Sequence, residues 1–164
     1  MQARLLILIK QAKDKAIETK IFFKKLKKRT PKNLDVQVAQ IHEEVFEKTN
    51  CMSCANCCKT TAPLFVKQDI ERISKYLGIK PVEFEQQYLR VDEDNDWVLK
   101  KTPCVFLGDD NACTIYDFRP KACREFPHTD RKKIYQIAKL TQANMAICPA
   151  AFDIVERMKT SIKL

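Results

Sequence analysis

Four cysteines within eight residues are the most chemically distinctive feature of this chain. Cys51, Cys54, Cys57 and Cys58 form the pattern CxxCxxCC. A two-residue gap between cysteines lets the backbone fold back so that both sulfurs face one metal, while nearby N–H groups stabilise the negative charge on sulfur. The segment therefore predicts a metal centre held by thiolates.

Four further cysteines supply the remaining candidate ligands: Cys104, Cys113, Cys123 and Cys148. Zinc sites are usually assembled from two separate CxxC or CxxH turns, whereas a continuous CxxCxxC completed by a distant Cys-Pro is typical of bacterial ferredoxins. Here Cys148 precedes Pro149. The pattern favours a [4Fe–4S] cluster on the first three cysteines and one remote cysteine, with zinc as the alternative.

Cys58 directly follows Cys57, and adjacent side chains rarely aim at the same atom. We expect Cys58 to point elsewhere and to join Cys104, Cys113 and Cys123 in a second site, unless one of those three completes the first. The spacing alone does not divide the eight thiols among sites.

A disulfide framework is the competing interpretation of eight cysteines. It is disfavoured because 164 residues can bury a core without covalent staples, and because the first apolar run, residues 5–9, is too short for a secretory signal. We expect a cytoplasmic protein with reduced thiols. A redox pair of the thioredoxin kind is also disfavoured, since no βαβ pattern surrounds the first two cysteines.

Charged and aromatic residues near the later cysteines are candidates for support of the centre. Arg119 and Arg124 can stabilise anionic sulfur through charge-assisted hydrogen bonds, or can pair with Asp117 or Glu125.

The sequence contains two glycines and no glycine-rich phosphate loop, which argues against nucleotide binding by that route.

The elements that must position these residues begin with a basic segment. Residues 1–33 hold 11 Lys+Arg and 2 Asp+Glu, so residues 34–164 hold 19 of each and are neutral. Helical spacing predicts one amphipathic helix over residues 3–29, ended by Pro31. Its apolar stripe consists of Leu5, Leu6, Ile9, Ala12, Ala16, Ile17, Ile21, Phe22 and Leu26. The lysine face suits docking on the rest of the chain or a second subunit, or binding of an anionic membrane surface or nucleic acid.

The rest of the chain is predicted to be mainly α with a short β-hairpin. Helices are expected over residues 35–48 with Asp35 as cap, 69–77, 81–88, around Cys123, and 149–159. A short strand is expected at 97–99, and the turn at 108–111 predicts a hairpin between 105–107 and 114–116.

We divide the chain into a basic helix, residues 1–33, and a small single metal-binding domain, residues 34–164. No run of apolar residues approaches the length of a membrane span.

Taken together, the motifs resemble the YkgJ family of bacterial cysteine-cluster proteins, for which zinc or iron chelation has been suggested. They are CxxCxxCC at 51–58, CVFL from Cys104 and CTIYDFRPKACREFP from Cys113. The resemblance spans about residues 51–148. It implies that the spaced cysteines act together as metal ligands, and that Tyr116, Arg119, Pro120 and Arg124 belong to the core of the site.

Three functions are consistent with these patterns. The first is an accessory metal protein that senses or carries iron, zinc or electrons. The second follows from resemblance to flagellin lysine N-methylases, which have a similar cysteine cluster, and is a protein methyltransferase with a cysteine-bound metal centre. The third is a zinc-stabilised adaptor that binds nucleic acid or a membrane surface through residues 1–33.

Overall fold

The structure is a computed structural model that describes residues 2–164, with side chains from Leu6 onward. Its helices over this range are α1 (Gln2–Asp14), α2 (Ala16–Lys28), α3 (Leu34–Phe46), α4 (Cys51–Cys54), α5 (Asn56–Thr60), α6 (Lys67–Leu77), α7 (Pro81–Tyr88), α8 (Lys121–Glu125), α9 (Ala138–Met145) and α10 (Pro149–Ser161). Its strands are β1 (Leu64–Phe65), β2 (Leu89–Val91) and β3 (Trp97–Leu99). The mainly helical class with a small β element, predicted from the sequence, is confirmed.

The chain divides into two compact units. The helical unit comprises the chain up to Asn50 together with Pro127–Leu164, and the cysteine unit is Cys51–Phe126. Each unit has its own apolar core.

In the helical unit, the predicted basic helix is two helices that meet at Lys15. The hydrogen-bond ladder continues through the junction, because the Lys15 N–H donates to the Gln11 carbonyl at 3.0 Å and the Thr19 N–H donates to the Lys15 carbonyl at 2.9 Å. The prediction of a single helix over 3–29 is nevertheless wrong at Lys15, where φ −92° and ψ 1° depart from the helical conformation and separate α1 from α2. Residue 1 of the predicted segment, and the side chain of Leu5, lie outside the part that the structure describes.

The core of the helical unit is built from α2, α3 and α10. The side chains of Leu26, Val38, Ile154, Val155 and Met158 are buried there almost completely. Pro149 opens α10 at the first helical position, where its missing N–H costs no intrahelical bond.

The predicted cap of α3 is wrong. Asn33 occupies the cap position without a side-chain bond, and Asp35 lies in the first turn. The Asp35 carboxylate instead accepts the Lys133 N–H at 2.7 Å, so a partner distant in the sequence has taken the capping oxygen.

The cysteine unit contains an antiparallel sheet with the order β1-β3-β2. The predicted strand at 97–99 is its central strand, pairing Val98 with Leu64 on one side and Leu99 with Leu89 on the other. Helices α6 and α7 lie between β1 and β2 in the sequence. Gly78 ends α6 in the left-handed conformation, as predicted, and Phe84 of α7 is fully buried.

The predicted hairpin between 105–107 and 114–116 is reduced to one bridge, which pairs Leu107 with Cys113. The expected turn is present, since the Gly108 N–H donates to the Ala112 carbonyl at 2.8 Å. Strand pairing stops because Tyr116 begins a short 3-10 helix, Tyr116–Phe118. The hairpin of this unit is β2–β3 instead.

Candidate metal centre

The CxxCxxCC segment forms two short helical pieces with a reversal between them. Cys51–Cys54 makes α4, and Cys57 and Cys58 lie in α5. Ala55 between them is buried and has φ 48°, a left-handed conformation that alanine adopts rarely. Its N–H closes the first turn on the Cys51 carbonyl at 2.8 Å. Left-handed residues of this kind are found preferentially at functional sites.

Cys58 has the electrostatics of a reactive thiolate. Its sulfur lies 4.0 Å from that of Cys57, and the hydrogen bond between them is the largest influence lowering the pKa of Cys58 to about 6. Burial opposes this shift, whereas the positive charges of Arg119 and Lys59 favour it. Cys58 is therefore ionised at neutral pH, which is the form that binds metal.

Cys104 and Cys113 each open a tight turn that points a backbone N–H back at the sulfur. The Leu107 N–H donates to the Cys104 carbonyl at 3.0 Å, and the Tyr116 N–H donates to the Cys113 carbonyl at 3.2 Å. Burial raises the pKa of both thiols, and the N–H groups two residues after each cysteine oppose that rise. Hydrogen bonds to sulfur are a means by which metal–thiolate sites are tuned.

Cys123 has a strongly raised pKa. Burial is the first cause and, together with the negative charges of Cys58, Cys104 and Cys113, raises the pKa of Cys123 to about 12. Charges act this way only over short distances. The fold therefore brings together four thiols from three separate segments: Cys58, Cys104, Cys113 and Cys123.

The connection between these segments is direct, because the Cys104 N–H donates to the Cys58 carbonyl at 2.7 Å. Cys51 belongs to the same neighbourhood. Burial raises the pKa of its thiol, and the charges of Cys54 and Cys58 raise it further.

Arg119 supplies positive charge to this neighbourhood. Its guanidinium lies 3.5 Å from the centroid of the Tyr116 ring, and its Nε donates to the Tyr116 carbonyl at 2.7 Å. The charge of Arg119 lowers the pKa of thiols on both sides of the sequence gap, namely Cys51, Cys58, Cys113 and Cys123. Arg124 lies exposed on α8, and its role toward the centre stays a prediction.

A buried ion pair in the cysteine unit was not predicted from the sequence. Asp69, 1% exposed, binds Arg72 at 2.6 Å, and the Lys121 N–H donates to the same carboxylate at 3.1 Å. Arg72 in turn donates to the Arg119 carbonyl at 2.8 Å. This clamp, formed by Asp69 and Arg72, holds the segment that carries Arg119 and leads into Cys123. In the sequence, the pair is visible only as an acidic residue followed three positions later by an arginine. The same spacing is common in exposed ion pairs on helix surfaces, so it does not indicate burial.

Cys148 lies in the helical unit, directly before α10, where it packs at the margin of the apolar core. Its ligand role stays a prediction. The structure has all eight cysteines as thiols. Among the described residues, no group of three or more Cys, His, Asp or Glu side chains is already arranged to hold a metal ion.

A family model with the description "CxxCxxCC: Putative zinc- or iron-chelating domain" matches residues 50–149. The chain belongs to this CxxCxxCC family. The match confirms the resemblance found in the motifs and includes all eight cysteines. Chelation of zinc or iron is thus supported for the CxxCxxCC domain at the level of the family. No solved structure matches its fold.

Proposed function

We propose that this CxxCxxCC protein binds zinc or iron through Cys58, Cys104, Cys113 and Cys123, and serves as an accessory protein that senses or carries metal or electrons. The observation that carries the proposal is the electrostatic coupling of these four thiols, which come from three segments. Thiolates are soft donors that favour zinc and iron. Burial, and then the charges of the other three thiols, raise the pKa of Cys123, and a bound cation would favour its thiolate against both effects.

The donor set fits such an ion chemically. Backbone N–H groups already bond the sulfurs of Cys104 and Cys113, and Arg119 places a positive charge nearby. When bound, the ion would supply either a structural crosslink or, for iron, a redox centre. Because ligands must be deprotonated, binding would release protons from Cys104, Cys113 and Cys123, whose pKa values are all raised, whereas Cys58 is already ionised at neutral pH.

Anaerobic purification followed by elemental analysis, labile-sulfide assay and a visible spectrum tests the proposal. We expect about one zinc or iron per chain and no labile sulfide. Strong visible absorption with stoichiometric sulfide would establish the [4Fe–4S] cluster instead. A preparation without metal, even after anaerobic reconstitution with either ion, would contradict metal binding altogether.

Single cysteine-to-serine variants test the ligand set. Cys104→Ser and Cys123→Ser should each lower the affinity for the ion at least tenfold, measured by competition with a chelator. Cys148→Ser is the matched control and should retain the metal. Full metal content in Cys104→Ser and Cys123→Ser would contradict the set, and loss of metal in Cys148→Ser would assign that cysteine the role predicted from the Cys-Pro pair.

Methyl transfer stays a prediction for this chain. Incubation with labelled adenosylmethionine and lysine-rich proteins, in the metal-loaded and metal-free states, tests it. Transfer that depends on the loaded state would favour the enzyme.

A further inference from the structure

One outward face of α1 and α2 combines exposed apolar side chains with lysines. Ile17 and Ile21 are 76% and 49% exposed, and Leu6 and Ile7 are 65% and 56% exposed. Ile17 and Ile21 are four residues apart, so they lie one above the other on α2. Isolated exposed apolar residues are common, but an apolar row along the same helical segment as a lysine cluster needs a partner of mixed character.

The opposite face already accounts for docking of these helices within the helical unit. Thr19, Phe22, Phe23 and Leu26 are buried, and the last three belong to the apolar core. Ile17 and Ile21 contribute nothing to that core. The docking interpretation therefore explains the inner face and leaves the outer face unexplained.

The segment that forms this face carries a large excess of exposed positive charge. Its exposed cations are Lys10, Lys13, Lys20, Lys24, Lys25, Lys27, Lys28, Arg29 and Lys32. Of its two acidic residues, Asp14 is exposed, and Glu18 binds Lys159 at 3.0 Å, which reduces the effect of Glu18 on the cluster. Charge complementarity thus calls for an anionic partner.

A shallow groove next to Ile17 adds apolar surface beside the cations. Its volume is about 380 Å³, and it lies between the α1–α2 junction and α9. Its apolar lining includes Ala12, Ala16, Ala143 and Ala146, and Lys13 and Lys20 also contribute. The groove can admit an apolar group whose charged end meets lysine.

We propose that this face of α1 and α2 lies on an anionic phospholipid surface. The isoleucines enter the boundary between headgroups and acyl chains, and the lysines meet lipid phosphates. A nucleic acid would use the lysines but offers no reason for exposed isoleucines one turn apart. No helix among residues 2–164 has the length and apolar character needed to cross a bilayer.

Co-sedimentation of the 164-residue chain with vesicles tests the proposal. Binding to vesicles of phosphatidylcholine and phosphatidylglycerol should exceed binding to phosphatidylcholine alone by at least tenfold and should weaken as salt is raised. Metal content does not enter this measurement, so its result is independent of the proposed metal centre.

Two double variants separate the two parts of the face. Ile17→Gln with Ile21→Gln, and Lys20→Glu with Lys24→Glu, should each weaken binding to the anionic vesicles about tenfold or more. All four side chains are exposed, so far-UV circular dichroism should show an unchanged fold.

Matched controls carry the same chemical changes at exposed positions elsewhere. They are Val36→Gln with Val82→Gln, and Lys75→Glu with Lys101→Glu. Both controls should bind like the unmodified chain. Equal binding to neutral and anionic vesicles would overturn the proposal, as would controls that weaken binding as much as the test variants. Tight binding of a nucleic acid duplex that the isoleucine variant leaves unchanged, without vesicle binding, would assign the face to nucleic acid instead.

Discussion

Replacing Asp69 with asparagine removes the negative charge from the clamp behind the cysteines. The carboxylate is almost completely buried and binds Arg72 at 2.6 Å, and it also accepts the N–H groups of Lys121 at 3.1 Å and Val66 at 3.3 Å. Asparagine has nearly the same shape but only one acceptor oxygen, and its amide would face N–H donors. The Arg72 guanidinium would also lose its counter-charge.

The expected cost follows from the burial of the pair. Removing one partner of a buried ion pair costs about 3–5 kcal/mol, because the remaining charge is left without compensation. Arg72 is 29% exposed and keeps the Arg119 carbonyl as an acceptor, so water and backbone offset part of this loss. We therefore expect Asp69→Asn to lower the free energy of unfolding by about 3 kcal/mol.

Trp97 provides the assay, since it is the one tryptophan in the sequence and lies in β3 of the cysteine unit. Urea unfolding followed by its fluorescence, under anaerobic conditions at fixed metal, should show a midpoint lower by about 1.5 M, given a slope of about 2 kcal/mol per M. Because the clamp holds the segment leading into Cys123, metal affinity should also fall at least tenfold.

Asp117→Asn is the matched control, because Asp117 is exposed and undergoes the same chemical change. Its midpoint should shift by no more than the equivalent of about 0.5 kcal/mol. An Asp69→Asn midpoint equal to that of the unmodified chain would refute the reasoning. A second check is Asp69→Asn combined with Arg72→Met, which removes both charges and should cost less than the sum of the two single changes.

Two further predictions concern the helical unit and the end of α6. Burial alone would raise the pKa of Glu156, but hydrogen bonds from Lys15 and Lys159 outweigh it and lower the pKa below the ordinary value of 4.5. The stabilisation from the Glu156 carboxylate is thus complete above pH 4.5 and is lost as pH falls through the lowered pKa. Glu156→Gln should therefore lower the free energy of unfolding by about 1 kcal/mol at pH 7 and by less at about pH 3, measured by thermal melts followed by circular dichroism. Equal costs at both pH values would contradict this. Gly78→Ala should lower the free energy of unfolding in the Trp97 assay by about 1 kcal/mol, because a Cβ there meets nothing within 4 Å and only the φ of 70° disfavours alanine. An unchanged midpoint would contradict this cost.

Local signals in the sequence predicted the secondary structure well where a single residue determines a boundary. Gly78 ends α6 because it adopts the left-handed conformation, and Pro81 and Pro149 open helices at positions where no N–H is needed. Local prediction failed where a distant partner intervened. Asp35 bonds Lys133, and Lys15 divides the basic helix where its side chain bonds Glu156.

The dense cysteine motif, the neutral body and the strongly basic first segment are evident from the sequence alone, because residue types and short spacings are properties of the chain. Which thiols are neighbours depends on the fold. Cys58 and Cys123 are 65 positions apart, and their charges interact only because the fold brings three segments together. The fold also buries Asp69 against the Lys121 N–H. From the sequence alone, a carboxylate near the start of a helix could equally well be exposed to solvent, because its partner lies 52 positions away.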